Sequence, residues 1–275
     1  MQNKAFDLSG KCVLITGAAG LLGVNHTSAI LEGGGIPIMT DVVGDTLTSL
    51  GTELSERYGQ EVITKVMDVA DERSVRGVNE DLKKNGRQVS VLINNAARNP
   101  KVDSSRGLAA SNRLEKLDLL SWQKDLDVGL TGALLCSKVF GTEMASRGYG
   151  VIINVASDLG VIAPNQNLYK IDGRASDEQD VKPVSYSVVK HGLIGLTKYL
   201  ATYWADRGVR CNSISPGGVF ANQHPEFLEK VQSLIPLGRL ARPDEYKGAI
   251  LFLASEASSY MNGANLVMDG GRSVW

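Results

Sequence analysis

The chain has 275 residues, a formal net charge of −1 and 43% hydrophobic residues, and this length is enough for a substantial core. A nearly neutral chain gives no electrostatic reason to expect binding to nucleic acid or to an anionic membrane surface. No apolar run approaches the ~20 residues that a membrane-spanning helix needs. The residues after Met1 lack the apolar core of a secretion signal.

The three cysteines are Cys12, Cys136 and Cys211. They are odd in number, far apart in the sequence and set among apolar residues. This usage predicts small core residues of a protein in a reducing compartment, with no disulfide and no bound metal. We therefore expect a cytoplasmic protein.

Apolar runs of strand length alternate with segments of helix length along the whole chain. The predicted strands are 12–16, 36–40, 61–67, 89–94, 151–156, 209–214 and 264–268. The predicted helices lie near 21–34, 45–58, 71–85, 119–147, 185–207, 225–234 and 243–254. This alternation predicts an α/β fold, a doubly wound parallel sheet in one domain that spans residues 1–275. The strands lack strict polar–apolar alternation, as expected for strands buried on both faces.

Two long segments interrupt the alternation. Residues 98–118 are polar and rich in turn residues, and residues 158–184 show no clear periodicity. Both follow the carboxyl ends of predicted strands, where open α/β sheets bind ligands. Long segments without regular structure are often lids or binding loops. We therefore predict that both contribute to a substrate site; the alternative is that they are surface insertions.

A glycine-rich turn at residues 16–23, with the sequence TGAAGLLG, joins the first predicted strand to the first predicted helix. Small residues there allow a tight turn and a close approach of the backbone to the pyrophosphate of a dinucleotide. Asp41 ends the second predicted strand, about 20 residues further along, where an acid accepts hydrogen bonds from the adenosine ribose. Its carboxylate would repel the 2′-phosphate of NADP, and no arginine adjoins it. The sequence therefore predicts NAD as the cofactor.

Tyr186 and Lys190 lie four residues apart in a predicted helix, so they share one helix face. A free tyrosine has a pKa near ~10, and a nearby ammonium favours the phenolate. Such a pair suits acid–base chemistry at an alcohol or a carbonyl. The spacing alone is common, but together with the glycine turn it predicts a nicotinamide oxidoreductase.

These motifs, in this order, resemble the single-domain short-chain dehydrogenase/reductase family over nearly the whole chain. The matching elements are the glycine turn, Asp41, Asp68, Asn94-Asn95-Ala96, Ser157, Tyr186 with Lys190, Pro216-Gly217 and Asp269-Gly270-Gly271. The resemblance implies a Rossmann-type sheet of seven parallel strands. It also implies hydride transfer between a nicotinamide and an alcohol or ketone, in a homotetramer or homodimer.

The resemblance assigns the catalytic roles to three residues. Tyr186 is the acid/base, Lys190 lowers the pKa of Tyr186 and holds the nicotinamide ribose, and Ser157 donates a hydrogen bond to the substrate oxygen. A donor placed in advance stabilises charge that develops on that oxygen. The implied cofactor residues are Gly17, Gly20, Leu22, Gly23, Asp41, Asp68, Val69, Asn95, Ala96, Tyr186, Lys190, Pro216, Gly217 and Val219.

Four features depart from the family pattern. Leu21 stands where the middle glycine of the turn is usual, and Ala221 stands where a threonine often contacts the cofactor carboxamide. Gly129 replaces an asparagine that normally anchors a water between the lysine and solvent, so the proton relay must use another group or a plain chain of waters. The stretch from Ser157 to Tyr186 is also longer than in most members.

Residues 157–169 resemble a subgroup associated with flagellin modification and nonulosonic (sialic-acid-like) sugars in bacterial surface-sugar pathways. Polar side chains in this region suit hydroxyl groups, and Lys170 and Arg174, which follow it, suit a phosphate. The candidate substrate residues are Asn165, Asn167, Tyr169, Lys170 and Arg174. They predict an NAD-dependent enzyme for a secondary alcohol or ketone of a polar, sugar-like small molecule.

Three alternatives remain open from the sequence. The first is a polyol or gluconate-type substrate, and the second is a 3-oxoacyl thioester on the same fold. The third is a non-catalytic NAD-binding sensor or scaffold, against which the retained pair of Tyr186 and Lys190 argues. The resemblance also implies that segments 119–147 and 185–207 pair subunits. Four apolar residues at helical spacing fit either a core or such an interface: Leu193, Leu196, Leu200 and Trp204.

Overall fold

The computed structural model describes residues 4–98 and 112–275. Seven parallel strands form one sheet in the order β3-β2-β1-β4-β5-β6-β7. The strands are β1 (Cys12–Thr16), β2 (Ile36–Asp41), β3 (Ile63–Val66), β4 (Val89–Asn94), β5 (Gly150–Val155), β6 (Val209–Pro216) and β7 (Asn265–Met268). The predicted fold class is confirmed, and each strand end lies within two residues of the predicted one. The chain reverses its direction of winding between β1 and β4, and such a switch point opens a crevice for ligands.

Helices cover both faces of the sheet. They are α1 (Leu21–Glu32), α2 (Gly44–Tyr58), α3 (Glu72–Lys84), α4 (Leu119–Leu126), α5 (Gly132–Cys136), α6 (Thr142–Arg147), α7 (Val184–Tyr203), α8 (Pro225–Gln232) and α9 (Lys247–Ala254). The helix predicted at 119–147 is one continuous helical run, in which π-helical turns at Asp127–Thr131 and Ser137–Gly141 join α4, α5 and α6. Within the described ranges, no helix is both long enough and apolar enough to cross a membrane.

The helix predicted at 243–254 begins later, at Lys247. The residues before it form a turn in which the side chain of Glu245 accepts a hydrogen bond from the backbone N–H of Arg242, at 2.7 Å. Glu245 also forms an ion pair with Arg239, at 2.6 Å. These contacts hold the segment as a turn, so the helix starts only after it.

Side chains of the central strands alternate between two cores. In β1, Val13 and Ile15 pack with α1, α2 and α9, whereas Cys12 and Leu14 pack with α3, the helical run and α7. All three cysteines are free and buried, and they lie in the second core. The apolar face of α7 also belongs to the interior, since Leu193, Leu200 and Trp204 are buried and Leu196 packs against them.

The long segment between β5 and α7 folds back on itself. It contains three short 3-10 turns, at Asp158–Gly160, Gln166–Tyr169 and Ser176–Glu178. The side chain of Gln179 bonds to both backbone polar groups of Ile171, at 2.8 and 3.0 Å. The other predicted loop, 98–118, lies mostly outside the described residues, and its final part contains a 3-10 turn at Leu114–Lys116.

Candidate active site

The glycine turn joins β1 to α1 at the switch point of the sheet. Gly17 has a φ of +62°, and a Cβ atom on it would lie 2.8 Å from the Cα atom of Ala96. Both the backbone conformation and the lack of space therefore require glycine. The side-chain amide of Asn95 donates to the carbonyl oxygens of Thr16 and Gly17, at 2.9 and 3.0 Å. The predicted residues at the ends of β1 and β4 thus meet.

The N-terminus of α1 has the features of an anion site. Among the described residues, its N-cap Gly20 supplies no side-chain hydrogen bond, and its first turn, which contains Leu22 and Gly23, holds no acidic residue. The first backbone N–H groups of a helix have no partner inside the helix, and they lie at the positive end of its dipole. The turn therefore fits the pyrophosphate of a dinucleotide.

Asp41 ends β2 beside this turn. Its Oδ2 accepts a hydrogen bond from the backbone N–H of Ala19 at 3.1 Å, and its Oδ1 accepts one from that of Val42 at 2.8 Å. These bonds fix the carboxylate next to the phosphate turn, where an acid binds the ribose hydroxyls of a dinucleotide. The residues present therefore fit a nicotinamide dinucleotide.

The remaining predicted cofactor residues lie along the same edge of the sheet. They are Asp68 and Val69 after β3, and Pro216, Gly217 and Val219 at and beyond the end of β6. A Cβ atom on Gly217 would lie 2.7 Å from the Cα atom of Asp269. The chain after β6 is therefore packed directly against the chain after β7.

Ser157, Tyr186 and Lys190 come together from two elements. Ser157 follows the end of β5, whereas Tyr186 and Lys190 lie in the first two turns of α7. The side chain of Ser157 lies close enough to the phenol of Tyr186 to affect its pKa. The Nζ atom of Lys190 lies 5.7 Å from the centre of the Tyr186 ring and donates to the carbonyl of Val155 at 2.7 Å. This bond ties the ammonium to the end of β5, close to Ser157.

Burial controls the protonation of the two titratable groups. Burial raises the pKa of Tyr186, the nearby hydroxyl of Ser157 lowers it by less, and the charge of Asp158 raises it. Burial also lowers the pKa of Lys190 to about 8, with help from the charge of Lys182. The ammonium of Lys190 lies 5.7 Å from the centre of the Tyr186 ring, and the role of Lys190 in lowering the pKa of Tyr186 stays a prediction. Further positive charge at the site would favour the phenolate.

The sequence reasoning missed a group of charges beside the three catalytic candidates. Asp158 and Arg272 are both buried and form an ion pair at 2.8 Å. Asp158 also accepts a hydrogen bond from the hydroxyl of Ser157 at 2.7 Å. The Nζ atom of Lys182 lies 3.8 Å from the centre of the Tyr186 ring. Lys182 precedes Tyr186 by four residues, a spacing that could have indicated the contact, but Pro183 separates it from the predicted helix.

The predicted substrate residues fall in different places. Tyr169 lies close enough to Arg272 and Tyr186 for their charges to act on it, and burial raises its pKa to about 12. Arg174 forms an ion pair with the buried Asp180 at 3.3 Å. The other three are exposed, and they are Asn165, Asn167 and Lys170. The structure therefore brings Tyr169 to the catalytic candidates, and the substrate roles of all five residues stay predictions.

Gly129 lies in a π-helical turn that packs against α7. A Cβ atom on Gly129 would lie 2.6 Å from a methyl group of Val189, so the usual asparagine does not fit beside this valine. A cavity of about 10 Å³ at this point is lined by Gly129, Ser185, Lys190 and Asp125, among others, and it is about large enough for one water. The hydroxyl of Ser185 donates to Asp125 at 2.6 Å. A polar pair able to relay a proton therefore lies beside Lys190.

Comparisons with known proteins agree with this geometry. A family model described as enoyl-(acyl carrier protein) reductase matches residues 17–273. D-threitol dehydrogenase of Mycolicibacterium smegmatis is 32% identical over 274 residues, which are 98% of this chain and 95% of that protein. The 2-dehydro-3-deoxy-D-gluconate 5-dehydrogenase of Bacillus subtilis is 31% identical over 280 residues, 97% of this chain and 96% of that protein.

Among solved structures, a gluconate 5-dehydrogenase from Burkholderia cenocepacia in complex with NADP and tartrate matches with a TM-score of 0.83 and 25% identity. The match covers 99% of this chain and 98% of that one. The chain belongs to the short-chain dehydrogenase/reductase family of oxidoreductases, and the predicted family is confirmed.

Proposed function

We propose that the protein is an NAD(H)-dependent dehydrogenase or reductase for a secondary alcohol or ketone of a polyhydroxylated, sugar-like substrate. The observation that carries this proposal is the convergence of Ser157, Tyr186 and Lys190 beside a turn that fits a dinucleotide. The names of these similar proteins refer to threitol, a four-carbon polyol, and to sugar acids. Their names favour the polyol or gluconate alternative, and the surface-sugar pathway stays a prediction.

A dinucleotide held by the turn after β1 and by Asp41 would supply or accept the hydride. Tyr186 takes the hydroxyl proton during oxidation and returns it during reduction. Ser157 donates to the same substrate oxygen and stabilises its developing charge. To do so, its hydroxyl turns away from Asp158, to which it donates in the structure. Lys190, fixed by the carbonyl of Val155, holds positive charge near the phenol, and Ser185 with Asp125 relays the proton outward.

The proposed function is tested by following NADH absorbance with alditols, aldonates, ketoses, sugar phosphates, nucleotide sugars, a long-chain alcohol and a 3-oxoacyl thioester. We expect the highest kcat/KM for a polyhydroxylated compound, because the loop after β5 places Tyr169 and Lys182 beside Tyr186. A preference for the apolar alcohol or the thioester would contradict the proposal. Tight NADH binding without turnover of any compound would support the non-catalytic alternative.

The cofactor preference is tested with Asp41→Ser. Loss of a charged hydrogen-bond acceptor weakens binding by about 1.5–3 kcal/mol, which corresponds to a loss of affinity of roughly 10- to 100-fold. We therefore expect kcat/KM with NAD to fall by about that factor, and kcat/KM with NADP to rise because the repulsion of the 2′-phosphate is removed. The matched control is Asp45→Ser, which removes an exposed carboxylate from the first turn of α2. A wild-type enzyme that prefers NADP would show the NAD proposal to be wrong.

We also propose that the protein forms a homo-oligomer through the helices predicted for this purpose. Large apolar side chains are exposed on them, namely Leu119, Leu120 and Leu134 on the α4–α6 run and Val188, Tyr199 and Tyr203 on α7. Exposed apolar groups at this density are typical of a surface that another subunit covers. Sedimentation velocity should give the mass of a dimer or tetramer, and a monomer at micromolar concentration would contradict the proposal.

A further inference from the structure

Lys182 is held in place by the long loop after β5. It precedes Pro183, the N-cap residue of α7. The side chain of Gln166 bonds to both backbone polar groups of Lys182, accepting from its N–H at 2.9 Å and donating to its carbonyl at 3.4 Å. From this fixed backbone the side chain reaches over Tyr186, with its Nζ atom 3.8 Å from the ring centre. The extra length of the loop therefore places a cation at the catalytic phenol.

Among the residues that the structure describes, the ammonium of Lys182 has no anionic partner. The nearby carboxylate of Asp158 already pairs with Arg272 at 2.8 Å and accepts from Ser157. Lys190 is bonded to the carbonyl of Val155. Within residues 4–98 and 112–275, the side chain of Lys182 makes no hydrogen bond or ion pair, and burial lowers its pKa to about 8. A partly buried cation without a partner is stabilised when an anion reaches it.

The charges around Tyr186 therefore do not cancel. Lys182, Lys190 and Arg272 are cationic, and Asp158 is the anion among them. A ligand with one negative charge would balance the unpaired ammonium of Lys182. A phosphate would bring up to two charges and more acceptor oxygens than this single ammonium satisfies. The single ammonium of Lys182 thus favours a carboxylate over a phosphate.

We propose that Lys182 is a specificity-determining residue that binds a carboxylate group of the substrate, so that the enzyme prefers sugar acids to neutral polyols. This inference rests on the proposed function. A carboxylate that contacts Lys182 lies next to the reacting carbon, because the same ammonium contacts the ring of Tyr186. The contact orients the carbon chain of the substrate against Tyr186 and Ser157. A neutral polyol can still enter the site, but it binds less tightly because it has no carboxylate.

The first test measures binding without turnover. Tyr186→Phe keeps the ring under Lys182, and its Kd for gluconate and for glucitol is measured by calorimetry with saturating NAD. The two ligands share a six-carbon chain and differ in one carboxylate. We expect gluconate to bind at least about tenfold more tightly, and Lys182→Met in the same background to remove that advantage while changing the glucitol Kd by less than about twofold. Methionine retains a long apolar stem.

A second test separates substrate binding from an effect on Tyr186. In the otherwise wild-type enzyme, Lys182→Met is expected to raise the KM for gluconate about tenfold or more while kcat changes little. Equal losses of kcat on gluconate and glucitol would show that Lys182 acts only through the phenol, and would overturn the proposal. The matched control is Lys84→Met, which removes the same charge from an exposed position on α3.

The remaining outcomes are also decisive. Equal Kd values for gluconate and glucitol, or no binding of either, overturn the carboxylate proposal. Lys182-dependent binding of a sugar phosphate but not of gluconate overturns it as well. In each of these cases the proposed function stands if the wild-type enzyme oxidises another polyhydroxylated compound of the panel, and fails if it oxidises none.

Discussion

Tyr186→Phe is expected to lower kcat about a thousandfold, within the range of 10² to 10⁴ that a positioned acid or base contributes. The change removes the only proton-carrying atom of the side chain and keeps the ring that lies under Lys182. Ser157 retains Asp158 as a hydrogen-bond partner, so no buried hydroxyl is left without one. The dinucleotide turn is untouched, and the Kd for NADH should therefore stay within about twofold.

The measurement is NADH absorbance for turnover and NADH fluorescence for binding, with the best substrate of the panel. Tyr260→Phe is the matched control, because it removes the hydroxyl of a fully exposed tyrosine. Retained turnover in Tyr186→Phe would show that another group moves the proton. If NADH binding and turnover were both lost, the hydroxyl of Tyr186 would be needed for cofactor binding. The acid–base role would then be tested by single-turnover rates at saturating NADH.

The parts of the site that the sequence predicted are those fixed by local rules. Gly17 and Asp41 lie at the carboxyl ends of β1 and β2, and in a parallel sheet such ends share one edge. Tyr186 and Lys190 lie on one helix, so their spacing alone predicts that they are neighbours. Ser157 follows a predicted strand that ends at the same edge. For these residues, the predicted secondary structure is nearly sufficient to predict that they lie in one site.

The parts that the sequence did not predict depend on contacts between distant segments. Asp158 and Arg272 are 114 residues apart, and no local pattern links them. Gly129 could be identified as unusual, but the reason for it is the methyl group of Val189 on another helix. The raised pKa of Tyr186 results from its burial, which depends on how the loop after β5 folds. That loop is held by side-chain to backbone bonds such as those of Gln166, and these have no periodic signature.

The pair of Asp158 and Arg272 gives the second large expected effect. Arg272→Met should lower the free energy of unfolding by about 3–5 kcal/mol, the usual loss when one partner of a buried ion pair is removed. Asp158 would be left as a buried carboxylate next to Ser157 and Tyr186, because its partner at 2.8 Å is gone. Its charge already raises the pKa of Tyr186, so turnover at neutral pH should fall as well.

Urea unfolding at one protein concentration measures this effect, and a double-mutant cycle separates the pair from its surroundings. Asp158→Asn combined with Arg272→Met removes both charges, and it should recover most of the lost stability because no uncompensated charge remains. The control is Arg242→Met, since Arg242 pairs with Asp244 and Glu245 at an exposed position, where an ion pair contributes little. If Arg272→Met and Arg242→Met had the same effect, the buried pair would not be what holds the C-terminal residues against the catalytic candidates. A large loss that the double variant recovers would show that Arg272 keeps the charge of Asp158 balanced beside Tyr186, a role that the separation of the two residues in the sequence conceals.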